Sequence, residues 1–324
     1  MAARRFGVHL ENRRDPRVQI YLPIADLPVN IFLILGMGLA VGFISGMFGI
    51  GGGFLMTPLL IFVGIAPAVV VASVASHVAA SSMSGAMAYW RRNAVDLALA
   101  LMLLAGGILG TAAGVWLFTV LRSLDQLDLT IVLSYVALLT IVGGLMIAES
   151  VRAIVREQKG RPVSPRRGGA HTWVHGLPLK MRFKRSKIYV SAIPVWTIGF
   201  LIGFVGALMG IGGGFLLVPM LIYFLRVPTA TVIGTSMVLT LITMATATVM
   251  HAATNHLVDA VLALTLMIGG VVGAQFGARA GQNMRGERLR LLLGILVFAV
   301  GLRFAYQVIV QPGDLFSIRV IGGA

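Results

Sequence analysis

The residues best placed to do chemistry in this chain are two near-identical glycine runs. Gly49-Ile50-Gly51-Gly52-Gly53-Phe54-Leu55, ahead of Pro58, returns as Gly210-Ile211-Gly212-Gly213-Gly214-Phe215-Leu216, ahead of Pro219. With side chains nearly absent, backbone N–H groups at the start of the following helix can hold an anion, helped by the positive end of the helix dipole. Two such runs facing one another would cage an oxyanion among Gly51, Gly52, Gly53, Gly212, Gly213 and Gly214. Glycine also lets a backbone turn and pack closely with no ligand at all, and the spacing leaves both readings open. No G-x-G-x-x-G can be read through Gly49, Gly51 and Phe54, and no Lys-Ser/Thr follows, which sets aside dinucleotide and Walker-type sites.

Hydroxyls follow each run. Ser73, Ser76, Ser81, Ser82 and Ser84, with His77 among them, lie after the first; Thr235, Ser236, Thr240, Thr243 and Thr246 lie after the second. Ser73, Ser76, His77 and Ser84 share one helix face by their spacing. Uncharged donors suit a tetrahedral or pyramidal oxyanion, and each hydroxyl can equally bond its own preceding turn. His77 is the histidine expected inside a span, where an ionisable group is a functional hypothesis by default; at the repeat offset its counterpart is Val238. His251 and His256 are expected at the membrane edge. Arg303, inside the last apolar stretch, could neutralise an anion or snorkel to the edge.

The acids discriminate between cargoes. In residues 29–148 and 188–310 the carboxylates are Asp96, Asp125, Asp128, Asp259 and Glu287, all at expected span ends. That leaves no midplane carboxylate to coordinate a metal or sodium ion, and no acid/base pair or G-x-S-x-G elbow for a hydrolase. Anion transport therefore gains over cation transport, and no catalytic residue, metal or cofactor is expected.

Positioning these residues falls to apolar helices. Of 324 residues 58% are hydrophobic and 11% charged, too much apolar surface for a water-soluble globule, so lipid must be the solvent. Apolar stretches at 29–47, 68–90, 94–118, 129–149, 188–209, 228–250, 258–280 and 290–310 approach the roughly 20 residues a crossing needs. The pieces at 54–63 and 215–225 are too short and read as half-helices or re-entrant elements, tolerable only where protein or a wet cavity satisfies the backbone. An offset of 161 (Gly49 to Gly210) also carries Gly42 onto Gly203 and Pro67 onto Pro228, whereas Gly106 maps onto Gly269 at 163. The Gly106/Gly110/Gly114 and Gly269/Gly273/Gly277 stripes give each third span a smooth face for packing across the inter-half interface.

The expected fold is all-α: a polytopic helical membrane protein of two tandem repeats, each of about four transmembrane helices with a Gly-interrupted re-entrant or half-helix segment. Its divisions are a basic cytoplasmic amino-terminal segment (1–28), repeat 1 (29–149), a basic cytoplasmic linker (150–187), repeat 2 (188–310) and a tail (311–324). Of 26 basic residues, five fall in 1–28 and eleven in 152–187. These segments lack the aromatic interleaving, helix-turn-helix or zinc pattern of a nucleic-acid binder, and the positive-inside rule accounts for them. Placing both in the cytoplasm requires an even number of crossings per half, four each. Arg279, Arg285, Arg288 and Arg290 then fall outside; five full crossings per half would turn the second copy over but put the linker outside. The first span is expected to serve as its own uncleaved signal. Cysteine is absent, which removes disulfides and thiolate sites.

The doubled G-x-G-G-G-[FL]-x-x-x-P mark and the Gly-rich third spans resemble the TauE/SafE family, also called the toluene sulfonate uptake permease family, over about residues 30–310. The basic linker and the Arg-rich amino end depart from it. The resemblance implies a secondary transporter of a small sulfur-containing anion such as sulfite or an organosulfonate, in a bacterial inner membrane. Alternating access between the repeats would expose a site at Gly51, Gly52, Gly53, Ser73, Ser76, His77, Gly212, Gly213, Gly214, Thr235 and Ser236. Implied partners are a small anionic substrate and the bilayer, not nucleic acid, with a homo-oligomer left open. Rival readings are a permease for a small carboxylate and a non-transporting scaffold whose basic linker recruits a partner.

Overall fold

A computed structural model of the chain describes residues 19–48, 50–158, 180–183, 185–186, 188–223, 229–280 and 286–310. Residues 1–18, Gly49, most of the linker (159–179), 224–228 with Pro228, and the tail from 311 lie outside the described residues. The described chain is helical apart from two short hairpins, and one order of elements runs through it twice. Strands β1 (Gln19–Leu22) and β2 (Leu27–Asn30) precede helices α1 (Ile31–Phe48), α2 (Gly53–Phe62), α3 (Pro67–Arg91), α4 (Leu97–Ser123) and α5 (Leu127–Gln158). Strands β3 (Lys180–Phe183) and β4 (Ile188–Ser191) precede α6 (Ala192–Met209), α7 (Gly214–Tyr223), α8 (Thr229–Met250), α9 (Ala260–Ala280) and α10 (Gly286–Val310).

Among the described residues seven helices are long and apolar enough to cross a membrane: those of α1, α3, α4, α5, α6, α8 and α9. Large apolar side chains such as Phe32, Trp116, Ile141, Leu145, Leu264 and Ile268 lie exposed on their outer faces, as a lipid-solvated protein requires. The α2 and α7 helices, ten residues each, are too short to span, as expected. The hairpins were not legible: each pairs only four residues a side, at Gln19↔Asn30 to Leu22↔Leu27 and Lys180↔Ser191 to Phe183↔Ile188. Their spacing is again 161. Strand β3 and the last turns of α5, to Gln158, fall in the stretch expected to be pure linker, and β4 takes the first residues of the span expected at 188–209.

The glycine stripes do what their spacing implies, joining the first long helix of one half to the fourth helix of the other. A Cβ on Gly42 or Gly46 would run into the backbone of Gly270 or Ala274 on α9, and one on Gly199 or Gly203 into Leu103 or Gly107 on α4. Only hydrogen in place of a side chain permits such approach.

Helix directions follow from these contacts. Gly38 lies beside Leu266 and Gly269, and Gly46 beside Ala274, so α1 and α9 run parallel. Ser73 pairs with Asp259 and His77 with Leu266, so α3 is parallel to α9 as well. The chain must therefore come back between α1 and α3, and α2 is the way back: α1 and α2 form a V, not a crossing plus a loop. Helix α8, in contrast, is antiparallel to α3, since Gly85 faces Met237 and Tyr89 faces Gly234. Equivalent helices of the two halves thus run in opposite directions.

This corrects the expected topology. With α1, α3 and α5 pointing one way, the chain enters at the end carrying residues 19–30 and leaves α5 at the opposite end, which also carries residues 180–191. The described parts of the amino-terminal segment and of the central stretch cannot share one side. Charge counting missed it because the V contributes one turn without a full crossing.

The two-residue difference between copies also has a location. Ser73 and Val78 correspond to Thr235 and Thr240 at an offset of 162, whereas Asn93 (φ 55°) and His256 (φ 53°) match at 163. The residue gained between Thr240 and His256 is absorbed by a π-helical turn, His251–Asn255, that closes α8.

Candidate functional site

The tips of the two Vs meet at the middle of α3 and α8. Ile50 and Gly214 are in backbone contact, as are Gly53 and the Gly210–Ile211 peptide, so that a Cβ on Gly214 would lie 2.6 Å from the Ile50 carbonyl oxygen. Phe54 and Phe215, the first side chains after the runs, stack with ring centroids 4.5 Å apart and planes 9° from parallel. Such a pair contributes about 0.5–1.5 kcal/mol beyond its buried area. Val78 and Thr240 flank both Gly51 and Gly212, and the pseudo-two-fold axis passes between them.

The runs turn because glycine permits it: Gly51, Gly52 and Gly212 have φ of 81°, 47° and 74°. The first-turn amides are partly consumed locally, which modifies the expectation of an amide cage. Gly53 N–H turns back onto the Gly51 carbonyl, and the Leu55 and Met56 N–H groups donate to Gly52 O at 3.2 Å. In the second half Leu217 N–H donates to Gly213 O at 2.9 Å.

Of the hydroxyls expected at the site, Ser73 and Thr235 are engaged elsewhere. Ser73 Oγ accepts from the Asp259 backbone N–H at 3.0 Å and Thr235 Oγ1 from that of Asp96 at 3.2 Å. Ser76 Oγ donates to Ser73 O and Ser236 Oγ to Ile233 O, each within its own helix. The hydroxyls that do border the tips are Ser45, Thr57, Ser82 and Thr240, Thr57 Oγ1 lying 3.4 Å from where a Cβ of Gly210 would sit. All four are buried, and none of their oxygens has a hydrogen-bond partner among the described residues. Ser82 Oγ lies 3.6 Å from where a Cβ of Gly51 would sit, Thr240 Oγ1 3.7 Å from that of Gly213, and Ser45 Cβ 3.1 Å from that of Gly52. An unpartnered buried hydroxyl costs about 1–3 kcal/mol, so four beside one junction are held there against stability. Ser45 carried no sequence signal: it is a lone serine in an apolar helix, and only the tip folding back against α1 reveals it.

His77 lies beside the junction rather than in it. Its Nδ1 donates to Leu266 O at 2.8 Å and its ring covers Gly270, while Nε2 is buried and unpartnered. Its counterpart is Leu239, not Val238, because Leu239 covers Gly107 as His77 covers Gly270. His251 is not at the edge but fully buried: Nε2 bonds Ala207 O at 3.2 Å and the ring meets Phe118 edge-on at 4.5 Å. The π turn swings it inward. Arg303 is exposed, its guanidinium 5.3 Å from the centre of the Phe62 ring at the far end of α2, away from the tips.

Two carboxylates proved more consequential than their positions at span ends suggested. Asp96 caps α4 (Oδ1 to Leu99 N–H) and accepts from the Ser186 N–H and hydroxyl in the β3–β4 turn, both at 2.8 Å. Asp259 caps α9 and accepts from Ile24 N–H at 2.9 Å in the β1–β2 turn. Each ties the hairpin of one half to the fourth helix of the other.

Broken helices meeting back to back inside a helical bundle define a polytopic membrane transporter scaffold. The sulfite exporter TauE/SafE family model matches residues 34–304, and the chain belongs to that family. It is 30% identical over 283 residues, 84% of this chain and 94% of the relative, to a "probable membrane transporter protein" of Xylella fastidiosa (strain 9a5c). It is 24% identical over 289 residues, 86% of this chain and 98% of the relative, to the "probable membrane transporter protein YunE" of Bacillus subtilis (strain 168). A 60-residue stretch, 18% of this chain and 13% of the relative, is 43% identical to "sulfite exporter TauE/SafE family protein 1" of Arabidopsis thaliana. No solved structure gives a significant match.

Proposed function

We propose that this protein is a secondary transporter of a small sulfur-containing anion, such as sulfite or an organosulfonate, which binds where the two V tips meet and crosses by alternating access of the inverted halves. The observation that carries the reading is the junction itself: left-handed glycine backbone from both halves beside four buried hydroxyls without partners among the described residues. Such groups favour a negative ligand, and a site between inverted halves can be opened to either side by rocking one against the other. Family membership and the Arabidopsis relative's name support sulfite as the first anion to test.

The end carrying residues 180–191 faces the cytoplasm in this reading. Arg91 and Arg92 end α3 there, Arg279 ends α9, Arg288 and Arg290 lie in the first turns of α10, and the eleven basic residues of 152–187 attach at the same end. The conflict over the Arg279–Arg290 stretch disappears, and residues 19–30 fall outside, in the periplasm if the membrane is a bacterial inner one.

Proteoliposome flux tests the function. Purified protein should move labelled sulfite or a labelled organosulfonate down a gradient with saturation, and a panel of sulfur anions that all leak at the empty-liposome rate would reject the reading. Competition by small carboxylates but not by sulfur anions would move the cargo to that class.

A further inference from the structure

We propose that Ser45 and Ser82, with Thr240, orient the anion off the pseudo-two-fold axis, and that Gly206 and Met244 form the opposing wall that receives its non-oxygen end. This rests on the transport reading above and assigns the polarity of its site to particular side chains. Much of the framework matches between the halves: hairpin on hairpin, Asp96 on Asp259, Thr235 on Ser73, Gly51 on Gly212. At the tips they diverge. By the offsets of 161 and 162, Ser45 stands where the second half has Gly206, and Ser82 where it has Met244.

Geometry places both sets against the same backbone. Ser45 packs on Gly52 and Ser82 on Gly51; Met244 Cε lies 3.0 Å from where a Cβ of Gly206 would sit, and that position is 3.7 Å from the Gly213 amide nitrogen. The junction thus has a wall of two hydroxyls on the first half and a thioether methyl on the second, with the Thr240 hydroxyl near the axis. Ser45, Ser82 and Thr240 are 0%, 0% and 1% exposed, so water does not satisfy them from the surface. Hydroxyl donors suit the charged oxygens of an anion, and a methyl and a bare glycine suit a lone pair or a small apolar substituent. A ligand with oxygens on all sides would press one of them against Met244 unpaired.

The test is equilibrium binding of methanesulfonate and of sulfate to the full chain in nanodiscs, with melting of the unliganded protein read in parallel. Wild type should bind methanesulfonate saturably and at least about tenfold more tightly than sulfate, since a charge-assisted hydrogen bond is lost on the methyl side for the latter. Ser45→Ala and Ser82→Ala should each weaken methanesulfonate about tenfold while leaving the unliganded melting temperature unchanged or higher, because each removes an unsatisfied hydroxyl. Met244→Ser should narrow the preference for methanesulfonate over sulfate. If wild type binds and both alanine variants bind equally well, the assignment fails and the transport reading stands. A lower unliganded melting temperature in both alanine variants would mark the hydroxyls as structural and equally overturn the assignment. If wild type binds no sulfur anion, both fall.

Discussion

The backbone N–H of Asp96 donates to the hydroxyl oxygen of Thr235, 3.2 Å away on the other half of the chain. Its mirror, Asp259 to Ser73 at 3.0 Å, lies at the opposite end of the bundle. These two joints hold hairpin, second long helix and capped helix together at each membrane face. Replacing either aspartate with alanine removes a helix cap and leaves hairpin donors unpaired, buried ones at Ser186 and a part-buried one at Ile24, at a cost of about 2–4 kcal/mol for Asp96 and less for Asp259. Asp96→Ala and Asp259→Ala should therefore each lower the melting temperature in detergent, with Asn recovering part of the loss. Unchanged melting would mean the hairpins are not fastened by these side chains.

Opposite ends for the two hairpins is a checkable claim in a chain with no native cysteine. Tyr21 and Tyr189 are both 56% exposed and stand on β1 and β4. A membrane-impermeant maleimide applied to intact cells should label Tyr21→Cys and not Tyr189→Cys. Labelling of both or of neither would restore the single-sided arrangement that charge counting suggests.

Much of the fold was legible because lipid leaves few options: apolar length marked the long helices, glycine marked the breaks, and the glycine stripes marked which faces pack across the halves. The direction of each half was not legible. It depends on whether α2 turns back, and a ten-residue apolar piece reads the same as a loop or as the return arm of a V. The site divided along a similar line. The turns at Gly51, Gly52 and Gly212 were legible because their left-handed backbone suits glycine, whereas Ser73 and Thr235 were indistinguishable from Ser82 and Thr240 until the structure showed which oxygens already have partners. Ser45 and the inward turn of His251 depend on backbone events, a tip folding back and a π turn, that no side-chain pattern announces.

Gly52→Val and Gly212→Val should each abolish flux. A β-branched side chain is strained at φ of 47° or 74°, by about 1–2 kcal/mol, and would also press on Val41 and Ser45 or on Val78. The check is flux together with melting: variants that fold and still transport at the wild-type rate would remove the tips from the mechanism.

His77 donates through Nδ1 to Leu266, which leaves Nε2 to take up a proton if transport is proton-linked. Asparagine carries an amide N–H near the Nδ1 position but no second nitrogen. His77→Asn should keep the fold and the Leu266 bond while flux loses its pH dependence. A pH–flux profile in proteoliposomes that matches wild type would return His77 to a packing role over Gly270.

If cargo occupies the junction of the tips, Val78, beside the pseudo-axis and against both Gly51 and Gly212, is the position from which to ask. In the cysteine-free chain, Val78→Cys would be alkylated with N-ethylmaleimide in nanodiscs, with and without an organosulfonate that raises the melting temperature. The anion should slow alkylation at least about tenfold at saturation while leaving Tyr189→Cys unaffected, with half-protection at its binding constant. An anion that stabilises the protein yet leaves the Val78→Cys rate unchanged binds somewhere other than the junction, and the tips are then not the cargo site.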